Sequence, residues 1–136
     1  MKIYITAYLA TGLAFLVIDA IWLSQAASTL YRPIIGELLA DKVRIAPAVA
    51  FYLLYVLGIV IFAVSPALNS GRWTTALIYG ALFGFFAYAT YDLTNQATLK
   101  TWSTLITVID LAWGTTVTAT SAVSGYLVAS WLARSL

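Results

Sequence analysis

"IYITAYLATGLAFLVIDAIWLSQA", Ile3–Ala26, runs for 24 residues and carries one charge, Asp19. An α-helix rises about 1.5 Å per residue, so roughly 20 such residues cross the hydrocarbon core of a bilayer. The run is read as a transmembrane helix. Lys2 precedes it, and "SQA" (Ser24–Ala26) has the small-x-small form of a signal-peptide cleavage site. The apolar stretch is nevertheless too long for a signal core, contains an acid, and is followed by three further apolar segments. It is expected to be retained as a helix.

The other three segments lie at about 46–64, 73–93 and within 103–132. In the second, Pro47 falls in the tolerated first turn and Ser65-Pro66 reads as the stop. "NSGRW" (Asn69–Trp73) reads as a short turn into the third, and the fourth is long enough to tilt or to extend beyond the bilayer. Of the 136 residues, 62% are hydrophobic and 9% charged, where soluble domains carry about 25% charged residues. Mean hydropathy is +0.94. A soluble fold of this length could not bury so much apolar surface in one core. The expected fold is an all-α integral membrane protein, a bundle of four transmembrane helices forming one domain over 1–136.

Between the first two helices, "LYRPIIGELLADKVR" (Leu30–Arg44) spaces Ile34, Ile35, Leu38 and Leu39 for one helical face. It reads either as a short interfacial amphipathic helix or as a solvated loop with a helical turn. Lys2, Arg72 and Arg134 fall on one side of the membrane; Arg32, Lys42, Arg44 and Lys100 fall on the other. That balance fixes no orientation. It permits insertion both ways, as an antiparallel homodimer would need.

The chain has no cysteine and no histidine, which excludes disulfides, thiolate nucleophiles, imidazole bases and ordinary zinc sites. It has no Walker loop, dinucleotide fingerprint or nucleophile elbow, and no cofactor is expected. The pI near 9.0 comes without a basic run and is read as loop charges at lipid headgroups, not as nucleic-acid binding. "GALFG" (Gly80–Gly84) is a GxxxG pattern, expected to serve packing within the chain.

The chemistry lies with the acids. "VIDAIW" (Val17–Trp22) in the first helix is nearly repeated by "VIDLAW" (Val108–Trp113) in the last. With four antiparallel crossings, Asp19 near the end of the first helix, Asp92 in the last turn of the third and Asp110 two turns into the fourth all fall in one half of the bilayer. Tyr88, Tyr91, Asp92 and Asn95 follow i, i+3, i+4, i+7 spacing and share one face. Asp19 with Trp22, and Asp110 with Trp113, are i, i+3 neighbours. Tyr52 and Tyr55 sit at the same level in the second helix. A charged aspartate at the bilayer centre costs roughly 2.5–3.5 kcal/mol on insertion scales, so such residues are paired or functional. In the structural reading, Arg32, Arg44 or Lys100 reaches in to pair with the acids, and the tryptophans and tyrosines form an interfacial belt. The functional reading is a polar pocket built from Asp19, Trp22, Tyr88, Tyr91, Asp92, Asn95, Asp110 and Trp113. A metal site of three carboxylates and Asn95 is disfavoured by the nearby cations and the lack of other ligands. The hexamer repeat does not extend far, so convergence on one pocket is preferred to an internal duplication.

The run "YDLTNQATLKTW" (Tyr91–Trp102), with an acid-bearing first helix and "VIDLAWG" in the last, resembles the small membrane proteins of domain-of-unknown-function family 2177. The resemblance covers essentially the whole chain. It implies a multi-pass protein of the bacterial inner membrane and carries over no activity and no catalytic residue.

Three function classes follow. The first is a proton-coupled binder or carrier of a small or amphipathic, cationic or lipid-like ligand, since a carboxyl group in low dielectric can exchange protons near neutrality. The second is a membrane-embedded isomerase or cyclase acting on a lipid or isoprenoid, with Asp19, Asp92 and Asp110 as candidate acid and base groups. The third is a non-catalytic accessory protein whose acids orient helices through salt bridges. Membrane lipids are the expected surroundings in each.

Overall fold

The computed structural model describes residues 1–135. Among them there is no strand. Four helices are long and apolar enough to cross a membrane: α1 (Lys2–Leu38), α2 (Ile45–Ser70), α3 (Trp73–Thr98) and α4 (Thr104–Ser135). A band of exposed apolar side chains covers the outside, with Leu9, Leu13, Leu53, Leu54, Phe62, Phe86 and Trp131 all more than half exposed. Such a surface suits lipid and not water.

Three helices run further than the sequence suggests: α3 continues to Thr98, so Asp92 lies inside it and not in its last turn, and the other two both run past a proline. α1 does not end at Ala26. Nothing between Ala26 and Tyr31 breaks a helix, and the chain widens into a π turn over Ala27–Tyr31 and continues through Arg32–Ile35. It leaves by a tight turn over Gly36–Leu38, with Leu39 extended. The helical part of the first connection is thus the end of α1 and not a separate interfacial helix. Ile35 is buried, while Ile34, Leu38 and Leu39 are exposed. In α2, likewise, a π turn over Val60–Val64 carries the helix through Ser65-Pro66 to Ser70. Both π turns end two residues before a proline, Pro33 and Pro66. A proline ring collides with the carbonyl four residues back and offers no N–H. The wider turn moves that carbonyl aside without leaving the helix.

The stop of α2 is Gly71, at φ 68° and ψ 20°, with the Arg72 N–H bonded to the Ala67 carbonyl at 3.2 Å. A Cβ is disfavoured in this left-handed conformation. Gly71→Ala is expected to cost about 1 kcal/mol, read as a small drop in thermal melting in detergent; an unchanged melting point would show that the turn relaxes.

α4 is the central helix, packed against α1 on one side and α3 on the other. Its buried positions Ile106, Asp110, Gly114, Val117, Ser121, Gly125 and Ala129 recur every three or four residues. Small residues set the close approaches. A Cβ on Gly80 would lie 2.9 Å from the Ala122 Cβ, and one on Gly84 would overlap the Gly114 carbonyl oxygen. The GxxxG pattern therefore lets α3 rest on the backbone of α4. On the other side the Thr11 hydroxyl of α1 fills the place a Cβ on Gly125 would take.

Candidate functional site

The two Asp-x-x-Trp motifs meet across the α1–α4 interface. Trp22 and Trp113 stack face to face, with centroids 4.5 Å apart and planes 11° from parallel. Each indole then serves the acid of the other motif. Trp113 Nε1 donates to Asp19 Oδ1 at 3.2 Å. Trp22 Nε1 donates to the Tyr31 hydroxyl at 3.3 Å, and that hydroxyl donates to Asp110 Oδ1. Tyr52 of α2 donates to the remaining oxygen of Asp19. The repeat is a crossed brace: two tryptophans back to back, each holding the opposite carboxyl group directly or through a tyrosine.

The acids are 8% (Asp19), 0% (Asp92) and 6% (Asp110) exposed, so all three depend on the protein for partners. Asp19 and Asp110 find theirs in aromatic N–H and O–H groups. Among the described residues no lysine or arginine donates to any of the three. Nor do the three converge on one point, and no cluster of three acids could hold a metal ion among the described residues. They divide instead by partner: Asp19 is held by Trp113 and Tyr52, Asp110 by Tyr31, and Asp92 neighbours Asp110. Both carboxyl oxygens of Asp92 are buried with no donor.

Asp110 is reached from outside. A cleft of about 760 Å³ opens beside the end of α1, with Tyr31, Tyr91, Trp102 and Asp110 along its polar side. Leu23, Ile35, Leu39 and Val43 are among its apolar lining, and Arg32 and Asp41 are the other charged residues that line it. Asp92, a neighbour of Asp110, is not in the lining. Cavities of this size and mixed lining suit a small organic molecule. A second space of about 570 Å³, next to the first, is lined by Arg32, Glu37, Lys100 and Trp102.

The family described as "Predicted membrane protein (DUF2177)" matches residues 4–127. The chain belongs to this family. Neither a curated protein nor a solved structure matches it. With its four apolar helices, this establishes a multi-pass membrane protein. The matched span takes in all the acids, the tryptophan stack and the cleft.

Of the residues singled out in the sequence, Asp19, Trp22, Asp110 and Trp113 belong to the brace. Tyr88 lies over Gly114, whose missing side chain makes room for its ring, and meets Tyr55 edge-on at 6.4 Å. Tyr91 points into the cleft and meets Trp102 at 6.0 Å and 85°. Asn95 is half-buried beside Tyr91 and takes no part in the brace. Sequence reasoning missed Tyr31 and Trp102 and gave Tyr52 no role. Tyr31 was hidden because the first helix was ended at Ala26. The absence of any breaker before Pro33 was the signal that could have found it.

Proposed function

We propose that this protein binds a small amphipathic molecule bearing one positive charge within the bacterial inner membrane, and carries it with proton coupling. The observation that supports the reading best is the cleft: Asp110 and Tyr31 share its lining with Leu23, Ile35, Leu39 and Val43, and among the described residues no basic residue is bonded to Asp110 or to its neighbour Asp92. An organic cation is the complement of that lining, since its charge meets a carboxyl group and the rings of Tyr91 and Trp102 offer faces for cation–π contact. Arg32 and Asp41 also line the cleft, and their opposite charges leave Asp110 to decide the sign. Membrane lipids cover the exposed apolar band, and the balanced loop charges allow an antiparallel homodimer.

Tetraphenylphosphonium, a permanent amphipathic cation, is a suitable probe for the full chain in lipid nanodiscs. Asp110→Asn is expected to weaken its binding by about tenfold or more, about 1.4 kcal/mol. Equal binding by variant and parent, measured against empty nanodiscs, would sink the reading.

One observation favours a second reading. A pair of adjacent buried acids is also the equipment of a general acid–base catalyst, and an isoprenoid or lipid chain could enter the same cleft. Lipid extracts from a deletion strain and its complemented parent would differ by one class of product if this chain is such an enzyme. Identical profiles would count against catalysis.

A further inference from the structure

Most buried polar groups in a protein have a hydrogen-bond partner, and an orphaned one calls for a reason. Asp92 has two orphaned oxygens at full burial. Its immediate neighbour is the Asp110 carboxyl group, which takes its one hydrogen bond from Tyr31. Among the described residues no lysine or arginine is bonded to the pair, although Arg32 lines the same cleft as Asp110, together with the opposite charge of Asp41. α1 brings Tyr31 and Asp19; α3 brings Tyr88 and Tyr91. α2 brings Tyr55, whose hydroxyl is engaged with Thr118 at 2.8 Å. Two like charges side by side in a medium of low dielectric repel strongly. A single proton between the two carboxyl groups removes the repulsion and gives Asp92 its missing partner.

We infer that Asp92 and Asp110 form a site for one unit of positive charge, held as a shared proton in the empty protein and exchanged for one monovalent organic cation when the cleft is filled. The exchange balances. The O–H bond of the acid pair breaks, the proton leaves to water through the cleft mouth, and the cation takes its place against Asp110 with the total charge unchanged. Tyr31 holds Asp110 toward the cleft throughout. The exchange rests on the binding function proposed above; the shared proton does not.

Infrared spectroscopy of the full chain in nanodiscs separates the two. At neutral pH the parent is expected to show the C=O stretch of a protonated carboxyl group, shifted in heavy water. The band is expected to persist in Asp19→Asn and to vanish in both Asp92→Asn and Asp110→Asn, where the new amide N–H donates to the remaining carboxylate. Saturation of the parent with tetraphenylphosphonium should abolish the band and release one proton per cation bound. A parent without the band overturns the shared proton, whatever the protein binds. A band that survives while the cation binds overturns the exchange and places proton and ligand at separate sites. A band with no cation binding at all leaves the acid pair standing and refutes the carrier reading. The decisive arms use the parent protein, so a variant that fails to fold does not obscure the result.

Discussion

Gly84→Ala is expected to destabilise the bundle by about 2–3 kcal/mol, the upper range for an overpacked interior, and to lower its thermal melting in detergent accordingly. The new methyl group would overlap the Gly114 carbonyl oxygen and lie 2.7 Å from both Cβ and Oγ1 of Thr118. None of these can step aside cheaply. Gly114 is in the middle of α4, with the Tyr88 ring over its Cα. The Thr118 hydroxyl is bonded to Tyr55 at 2.8 Å. Relief requires α3 to lift from α4, which opens the interface that positions Asp92 beside Asp110. Gly36→Ala is the control, because nothing lies within 4 Å of a Cβ there, and it should stay within about 0.5 kcal/mol of the parent. If the two variants melt alike, α3 does not rest on α4 as described.

Hydropathy made the four helices legible because a bilayer tolerates only segments whose backbone bonds close within themselves. It said less about their ends. At Pro33 and Pro66 local propensity argues for a stop, and what prevails is the need to keep backbone groups bonded, met by a π turn in each case. Tyr31, the residue that holds Asp110, lies in the connection that reads from sequence as either a short interfacial helix or a loop, and belongs to α1. Crossing direction and helix position lead to the expectation of one level for the acids, and the structure brings Asp19 and Asp110 to donors around one tryptophan stack. Their partners were not legible. The Asp-x-x-Trp spacing places each tryptophan beside its own acid on one helix, which suggests a contact within the motif. The structure joins each tryptophan to the other motif's acid instead. Rotation of α1 against α4 decides between these, and no one-dimensional pattern encodes it. Of the expected group of three, Asp19 and Asp110 take part in the brace and Asp92 is left without a donor.

The brace around Asp19 has the second large consequence. Its carboxyl group is buried and takes one donor on each oxygen, Tyr52 and Trp113. Tyr52→Phe keeps the ring against Phe15 and Phe51 and removes only the hydroxyl. The expected loss is about 1–3 kcal/mol, the cost of leaving a buried acceptor without its partner. Adding Trp113→Phe should bring the total to about 3–5 kcal/mol, the range for an uncompensated buried charge, with part of it due to the broken stack on Trp22. Packing and polarity separate in the Asp19→Leu background. There no acceptor remains to be orphaned, so Tyr52→Phe should cost less than about 0.5 kcal/mol. A coupling of about 0.5–3 kcal/mol between Tyr52 and Asp19, measured by melting all four proteins of the cycle, identifies the hydroxyl as the acid's donor. If Tyr52→Phe costs the same with and without Asp19, the two are mere neighbours and the crossed brace is not what holds α1, α2 and α4 together.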